Sequence, residues 1–336
     1  MIKPKAAFFN SNATETSKVH YVYNRGRYER IAELTDLYPG IISPDNFEDH
    51  AAKLQNLEVV FSTWGMPKLT DDQLDKLPAL KAVFYGAGTV KGFAAPLLER
   101  GITVVSAWAA NAVPVAEFSL AQILLSCKGY FPNSRECSSS AAARKNAFVG
   151  PGVYGEKAAL IGAGQIGRKL IQLLQPFELD VLVVDPFLED ADAEAMGVRK
   201  VSLEEAFQEA FVVSNHLPNL AHLKNVLNAA LFRSMRVGAT FINTGRGAQV
   251  DEHALIETLR ARPDLTALLD VTCPEPPAPD SEFYNLPNVR LTSHIAGSMN
   301  DEVLRMADYA IEGFKRWRDN RPLRYAVTLD MLENMA

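Results

Sequence analysis

Four side chains able to hold or move charge stand just past β-type runs in the second half of the chain: Arg246, Asp270, Glu275 and His294. They sit in three segments, Ile242-Asn243-Thr244-Gly245-Arg246-Gly247, Leu269-Asp270-Val271-Thr272 leading to Pro274-Glu275-Pro276, and Leu291-Thr292-Ser293-His294-Ile295-Ala296-Gly297. A planar guanidinium grips a carboxylate through two parallel hydrogen bonds and can polarise a neighbouring carbonyl. An imidazole titrates near neutrality, so it can give a proton to an oxygen and take it back. Each residue alone has a bland reading. Arg246 reads as a strand-end ion pair, His294 as a capped or core histidine, Glu275 as a loop acid among prolines and Asp270 as a strand-end cap. Ends of strands are where open α/β sheets bind ligands, and co-occurrence there favours a site.

A second motif supplies a ligand. Ala158-Ala159-Leu160-Ile161 runs into Gly162-Ala163-Gly164-Gln165-Ile166-Gly167, and a helical stretch from Arg168 to Gln175 follows at once. This GxGxxG has a strand before it and a helix after it, the context a dinucleotide-binding turn requires. Gly162 permits the tight turn, Gly164 the approach of a pyrophosphate, and Gly167 close helix–sheet packing. The helix N-terminus offers free N–H groups to phosphates. The next strand-like run ends at Asp185, about 20 residues beyond the glycines, where an acid accepts from ribose hydroxyls. A carboxylate there repels a 2′-phosphate, and Pro186-Phe187-Leu188 add no arginine to hold one. NAD rather than NADP is therefore expected. The competing reading is a nucleotide-free turn with a solvated Asp185.

The elements that must carry these residues alternate along the chain. β-type runs at 5–10, 57–63, 80–85 and 102–106 are separated by helical patterns, one of them at 28–38. A long helical pattern follows at 113–143, with Pro114 placed for its first turn. A second series has strands expected at 158–161, 181–184, 211–215, 240–243, 265–269 and 289–292, then a closing helix at 301–318. Such alternation predicts an α/β fold with parallel sheets. The 336 residues, 48% hydrophobic and 22% charged, suit two globular domains. A net charge of −6 argues against nucleic-acid and anionic-membrane partners. Cys127, Cys137 and Cys273 show no paired spacing and read as free thiols. The N-terminal apolar run is too short for a signal peptide, and no run of 18 apolar residues predicts a membrane span. A cytoplasmic protein is expected.

With these motifs in this order, the chain resembles the D-isomer-specific 2-hydroxyacid dehydrogenase family. The resemblance implies two doubly wound parallel-sheet domains. A Rossmann NAD-binding domain (109–298) would be inserted into a flavodoxin-like substrate domain (1–108 and 299–336). It implies hydride exchange between NAD(H) and a small 2-hydroxy or 2-keto acid, D-specific, in a homodimer and without a metal. Residue by residue, Arg246 resembles the substrate arginine, His294 the acid/base, Glu275 its carboxylate partner and Asp270 the acid at the nicotinamide carboxamide. A glutamine in place of that glutamate would instead resemble formate dehydrogenases. Gln165, Ile166, Pro218, Thr244 and Gly245 join Gly162, Gly164, Gly167, Asp185, Arg246, Asp270 and His294 as expected cofactor contacts. Tyr85-Gly86-Ala87-Gly88-Thr89 resembles the family's glycine loop, so Ala87 and Gly88 are expected against the substrate carboxylate, with Trp64 lining the same site. The chain departs from the pattern at Leu220 and Leu223, where the His216-Leu217-Pro218 segment usually continues with threonines, and at Met299. Two other readings stay open. One is an NAD-sensing, corepressor-like binding protein of the same fold; the other is a dehydrogenase of a sugar acid or phosphorylated hydroxy acid.

Overall fold

The computed structural model describes residues 3–147 and 149–334, the side chain of Asn334 excepted. The chain divides into two compact units, one formed by residues 1–111 and 298–336, the other by 112–297. In the first, β1 (Lys5–Phe9), β2 (Asp36–Ile42), β3 (Val59–Ser62), β4 (Ala82–Tyr85) and β5 (Thr103–Ser106) form a sheet in the order β2-β1-β3-β4-β5. Every pairing is parallel. Apart from the exposed Lys5 that opens β1, the three central strands β1, β3 and β4 are buried on both faces, as a sheet covered by helices on each side requires. Phe314, on the helix Val303–Arg318, packs edge-on against Phe61 and Phe84 at 5.4 and 5.7 Å between ring centroids. Gly313 beside it admits Val105, whose Cγ1 lies 3.0 Å from where a Cβ would stand. The C-terminal segment thus completes the core begun by the N-terminal one.

The second unit holds β6 (Glu156–Ile161), β7 (Leu179–Val184), β8 (Arg199–Lys200), β9 (Val212–Asn215), β10 (Thr240–Asn243), β11 (Thr266–Leu269) and β12 (Val289–Leu291). Their order is β12-β11-β10-β9-β6-β7-β8, again all parallel. Phe207, Phe232 and Phe241 cluster on one face. Leu170, Ile171 and Leu174 of the helix Gln165–Leu174 cover the other, with Ala116 and Ile123. The fold class is therefore two doubly wound α/β units, one interrupting the other.

Three expectations from the sequence are corrected. The helical pattern at 28–38 ends at Leu34, and β2 begins at Asp36. Pro39-Gly40 masks the strand, yet a sheet edge tolerates proline because no partner needs its N–H. The register slip between Ala6 and Phe8 accommodates it. The helix expected at 113–143 is three helices, Trp108–Cys127, Tyr130–Glu136 and Ser140–Lys145, broken where Gly129 turns left-handed at φ 66°. Pro114 accordingly lies inside the first of them rather than at its start. That helix, at 20 residues and a mean hydropathy of 1.3, is also long and apolar enough to cross a membrane by length and composition. Half of it is buried within the protein, and Ile123 and Cys127 pack into the second unit's core.

Candidate active site

In the second unit β6 pairs with β9, and the sheet winds away in opposite directions on either side. Ligands bind outside the carboxyl ends of strands at such a switch point. The two segments emerging there are the glycine turn and His216–Pro218. Gly162 takes φ +100°, and a Cβ on it would stand 3.0 Å from the His216 carbonyl oxygen. A Cβ on Gly167 would fall 2.1 Å from the Gly162 oxygen, so only glycine lets the helix start this close to the strand. Above Gly164 nothing lies within 4 Å of the Cβ position. Gln165 and Ile166 open the helix, where amides have no intrahelical acceptor. Asp185, past β7, accepts from the Ala163 amide at 2.6 Å and the Phe187 amide at 2.8 Å. It thereby pins the glycine turn while keeping acceptor capacity on both oxygens. Open space, unpaired first-turn amides and an acid at the next strand end fit a dinucleotide.

The chemical groups follow the next three strands. His294 adopts φ +58°, a left-handed conformation rare outside glycine that costs about 1–3 kcal/mol and persists only where surroundings enforce it. Asp270, 2% exposed at the end of β11, is the enforcer. Its carbonyl accepts from the His294 amide at 3.0 Å. Its carboxylate accepts from Thr292 Oγ1 at 2.6 Å, the Ile295 amide at 2.8 Å and the Ala296 amide at 3.0 Å. Three of about four lone-pair sites are so used, which leaves one. The His294 side chain, aimed by that turn, brings Nδ1 to 2.5 Å from Glu275 Oε1. A carboxylate only accepts, so Nδ1 carries the proton of this bond and Nε2 is left for another partner.

Glu275 is held through its own loop. The Cys273 amide donates to Glu252 Oε1 at 2.7 Å, and Thr272 Oγ1 donates to the Pro274 carbonyl at 2.8 Å. Half-burial pushes the Glu252 carboxyl up, offset in part by that amide. Gly247 locks this loop to the arginine loop: a Cβ there would stand 2.0 Å from the Thr272 carbonyl carbon. Arg246 is half-buried, and its Nη1 donates to the Gly245 carbonyl at 2.7 Å. Burial pushes the guanidinium downward and the Glu275 charge pushes it back. Arginine retains its charge under such shifts. The structure thus brings His294 and Glu275 into contact, with Arg246 within the field of Glu275.

A buried amide network beneath these loops was not singled out by sequence reasoning. Gln249, 1% exposed, donates through Nε2 to the Leu217 and Pro218 carbonyls at 2.9 and 2.6 Å. Its Oε1 accepts from the Arg246 amide at 3.1 Å and from Asn215 Nδ2 at 2.7 Å. Asn243 Oδ1 accepts from Asn215 Nδ2 at 2.9 Å and the Gly245 amide at 3.1 Å. The only local signal is that β9 and β10 both end on asparagine. Thr244, 6% exposed, has its hydroxyl against His216 Nδ1 at 3.1 Å. His216 Nε2 meets Ser214 Oγ at 2.9 Å, and burial pushes this imidazole down to about 4. His216 is a structural member of the site's floor. Leu220 and Leu223 lie half-buried around a short 3₁₀ turn, Ala221–Leu223.

Trp64, Ala87 and Gly88 belong to the first unit. The Gly86 carbonyl accepts from Thr63 Oγ1 at 2.8 Å. Ser106 Oγ lies 2.9 Å from the Ala87 carbonyl and 2.5 Å from that of Gly88. These bonds turn the Gly86, Ala87 and Gly88 carbonyls into the fold, where Ala87 is fully buried and Gly88 half-buried. Trp64 is half-buried against the first unit's core.

Residues 120–296 match the family model described as D-isomer specific 2-hydroxyacid dehydrogenase, NAD binding domain. The chain belongs to this family. A D-3-phosphoglycerate dehydrogenase from Archaeoglobus fulgidus is 32% identical over 235 residues, 70% of this chain and 44% of that protein. One from Bacillus subtilis is 30% identical over 263 residues, 78% of this chain and 50% of that protein. The chain thus spans half or less of these relatives' length. Among solved structures, a phosphoglycerate oxidoreductase from Rhizobium etli shares the family fold with a TM-score of 0.81 at 23% identity, covering 97% of this chain and 98% of that one. D-mandelate dehydrogenase from Rhodotorula graminis shares it with a TM-score of 0.77 at 18% identity, covering 97% of each.

Two outcomes follow for this family member. Because the His216 value lies below its ordinary 6.5, the neutral ring stabilises the fold above about pH 6.5, and that contribution disappears as pH falls towards 4. The difference corresponds to about 3 kcal/mol. Urea midpoints measured between pH 7.5 and 4.5 are expected to fall more steeply for the wild type than for His216→Asn; equal slopes would contradict this. Gly247→Ala places a methyl inside the Thr272 backbone and is expected to lower thermal stability by about 1–3 kcal/mol, read by calorimetry. An unchanged unfolding temperature would show that the two loops are not locked together.

Proposed function

We propose that the protein reduces a small 2-keto acid to the D-2-hydroxy acid, or runs the reverse, with NAD(H). The observation that carries this reading is the His294–Glu275 pair, 2.5 Å apart and beside Arg246, in the unit that matches the family's NAD-binding domain. Gly162, Gly164, Gln165, Ile166, Gly167 and Asp185 hold the cofactor's pyrophosphate and ribose. Thr244, Gly245, Pro218 and the remaining acceptor site of Asp270 lie towards its nicotinamide end. NAD is favoured over NADP because the Asp185 carboxylate repels a 2′-phosphate. The nearby Arg168 is engaged with Asp192 and the Ala163 carbonyl. The nicotinamide, when bound, supplies or accepts the hydride.

Arg246 holds the substrate carboxylate and polarises the adjacent carbonyl. Protonated His294 donates from Nε2 to the oxygen that becomes the alkoxide. Glu275 keeps the ring in the matching tautomer and balances the imidazolium. In the reverse direction the neutral ring takes the proton back. We also read the protein as a cytoplasmic homodimer without a nucleic-acid or membrane partner. Leu125, Tyr130 and Tyr154 leave apolar surface exposed around the long helix, surface of the kind that self-association buries.

His294→Ala is expected to lower turnover by about 10²–10⁴-fold while NADH binding, followed by nucleotide fluorescence, persists. Turnover at the wild-type level would refute the role given to His294.

A further inference from the structure

The ends of β9 and β10 carry polar groups on both faces of the second unit's sheet. Asn215, Asn243 and Gln249 form the amide network on one. Strand alternation sends Ser214, His216 and Thr244 to the other, where Val212 and Ile242 pack with Ala116 and Ile123 of the helix Trp108–Cys127. Ser119 stands three residues past Ala116 and four before Ile123, so it shares that helix face. The four side chains form one line. Ser214 Oγ lies 2.9 Å from His216 Nε2, His216 Nδ1 lies 3.1 Å from Thr244 Oγ1, and Thr244 Oγ1 lies 3.4 Å from Ser119 Oγ. Ser214 and Ser119 are 0% exposed, Thr244 6% and His216 9%. Buried polar groups find partners, so the protons of this line can be assigned by counting.

The line has three links and four protons, one on each hydroxyl and one on the imidazole, which burial keeps neutral at ordinary pH. One proton must point out of the line, and its place decides the histidine tautomer. With the ring proton on Nε2, His216 donates to Ser214 and Thr244 donates to Nδ1. The spare proton is then that of Ser214, whose hydroxyl has His216 as its one hydrogen-bond partner among the described residues. A buried donor without an acceptor is costly. With the ring proton on Nδ1, Ser214 donates to Nε2, and both Nδ1–H and the Ser119 hydroxyl donate to Thr244 Oγ1. Both lone pairs of Thr244 are then filled, and the spare proton is its own. Of the three hydroxyls, that of Thr244 is the one in a strand-end loop, two residues before Arg246, where a ligand can supply the acceptor.

We infer that Ser214, His216 and Ser119 are positioning residues that make the Thr244 hydroxyl a donor, aimed at an acceptor oxygen on the nicotinamide half of the bound dinucleotide. This rests on the dinucleotide reading of the site and adds three residues that act on the cofactor through a fourth.

The test reads the tautomer and the ligand bond separately. Long-range proton–nitrogen correlation of the protein carrying ¹⁵N-labelled histidine, without nucleotide at pH 7.5, shows which ring nitrogen of His216 holds the proton. Its signals are those missing from His216→Asn. The proton is expected on Nδ1; a proton on Nε2 overturns the inference. NADH affinity, followed by nucleotide fluorescence, tests the donation. Thr244→Val keeps the shape without the hydroxyl and is expected to raise the Kd about tenfold, whereas Thr244→Ser stays within about threefold of the wild type. A folded Thr244→Val that binds as tightly as the wild type, or a Thr244→Ser that binds no better than Thr244→Val, overturns the donation. His216→Gln, whose amide reaches the Nε2 position instead, is expected to weaken NADH about tenfold alone and to add little to Thr244→Val. Additive losses would show a merely structural role and overturn the positioning. All these outcomes leave the dinucleotide reading intact; a wild type that binds no NADH overturns that reading and the inference with it.

Discussion

The carboxylate of Asp270 is the constraint on which the site depends. It is buried, it takes three hydrogen bonds from Thr292, Ile295 and Ala296, and its own backbone carbonyl takes a fourth from His294. Those bonds compel a histidine to hold a left-handed backbone it would otherwise leave. The imidazole is aimed by this turn, and only then does Glu275 meet Nδ1. A group proposed to recognise the cofactor therefore also sets the geometry of the proposed acid/base pair. The two roles are compatible because a carboxylate has more lone pairs than the loop consumes.

The same economy recurs around it. Asp185 clamps the glycine turn through the Ala163 amide and remains able to accept from a ribose. Gln249 joins the loops after β9 and β10 with both ends of one amide. Gly167 and Gly247 remove a methyl where two backbones touch. Buried polar groups without partners cost more than they return, so a fully paired network gives the loops a rigidity that loops usually lack. The proposed proton transfer and carboxylate binding would need that rigidity, since misplacement by an ångström forfeits much of the rate.

What was legible in the sequence follows from how local each signal is. The glycine turn, Asp185, Arg246, Glu275 and His294 lie beside strands whose apolar runs announce their own ends, so position along the chain translated into position at a sheet edge. Asn215, Asn243 and Gln249 could not be read this way. Their importance comes from meeting one another across three loops, and each alone is an ordinary polar residue. β2 was hidden because Pro39-Gly40 reads as a turn, while only tertiary placement at the sheet edge makes it a strand. The break at Gly129 was lost within a continuous helical pattern, since one glycine costs a helix only about 1 kcal/mol. The double duty of Asp270 was invisible for the same reason as the amide network.

The central claim is that this arrangement serves direct reduction at C2 of a 2-keto acid. The most direct measurement follows the label from NADH deuterated at C4 of the nicotinamide, with each C4 epimer supplied in turn. Mass spectrometry and chiral chromatography then read the product. The account predicts that one epimer, and not the other, delivers a full deuterium to C2 of a D-2-hydroxy acid. Deuterium appearing in solvent instead, or an unlabelled product from both epimers, would contradict it.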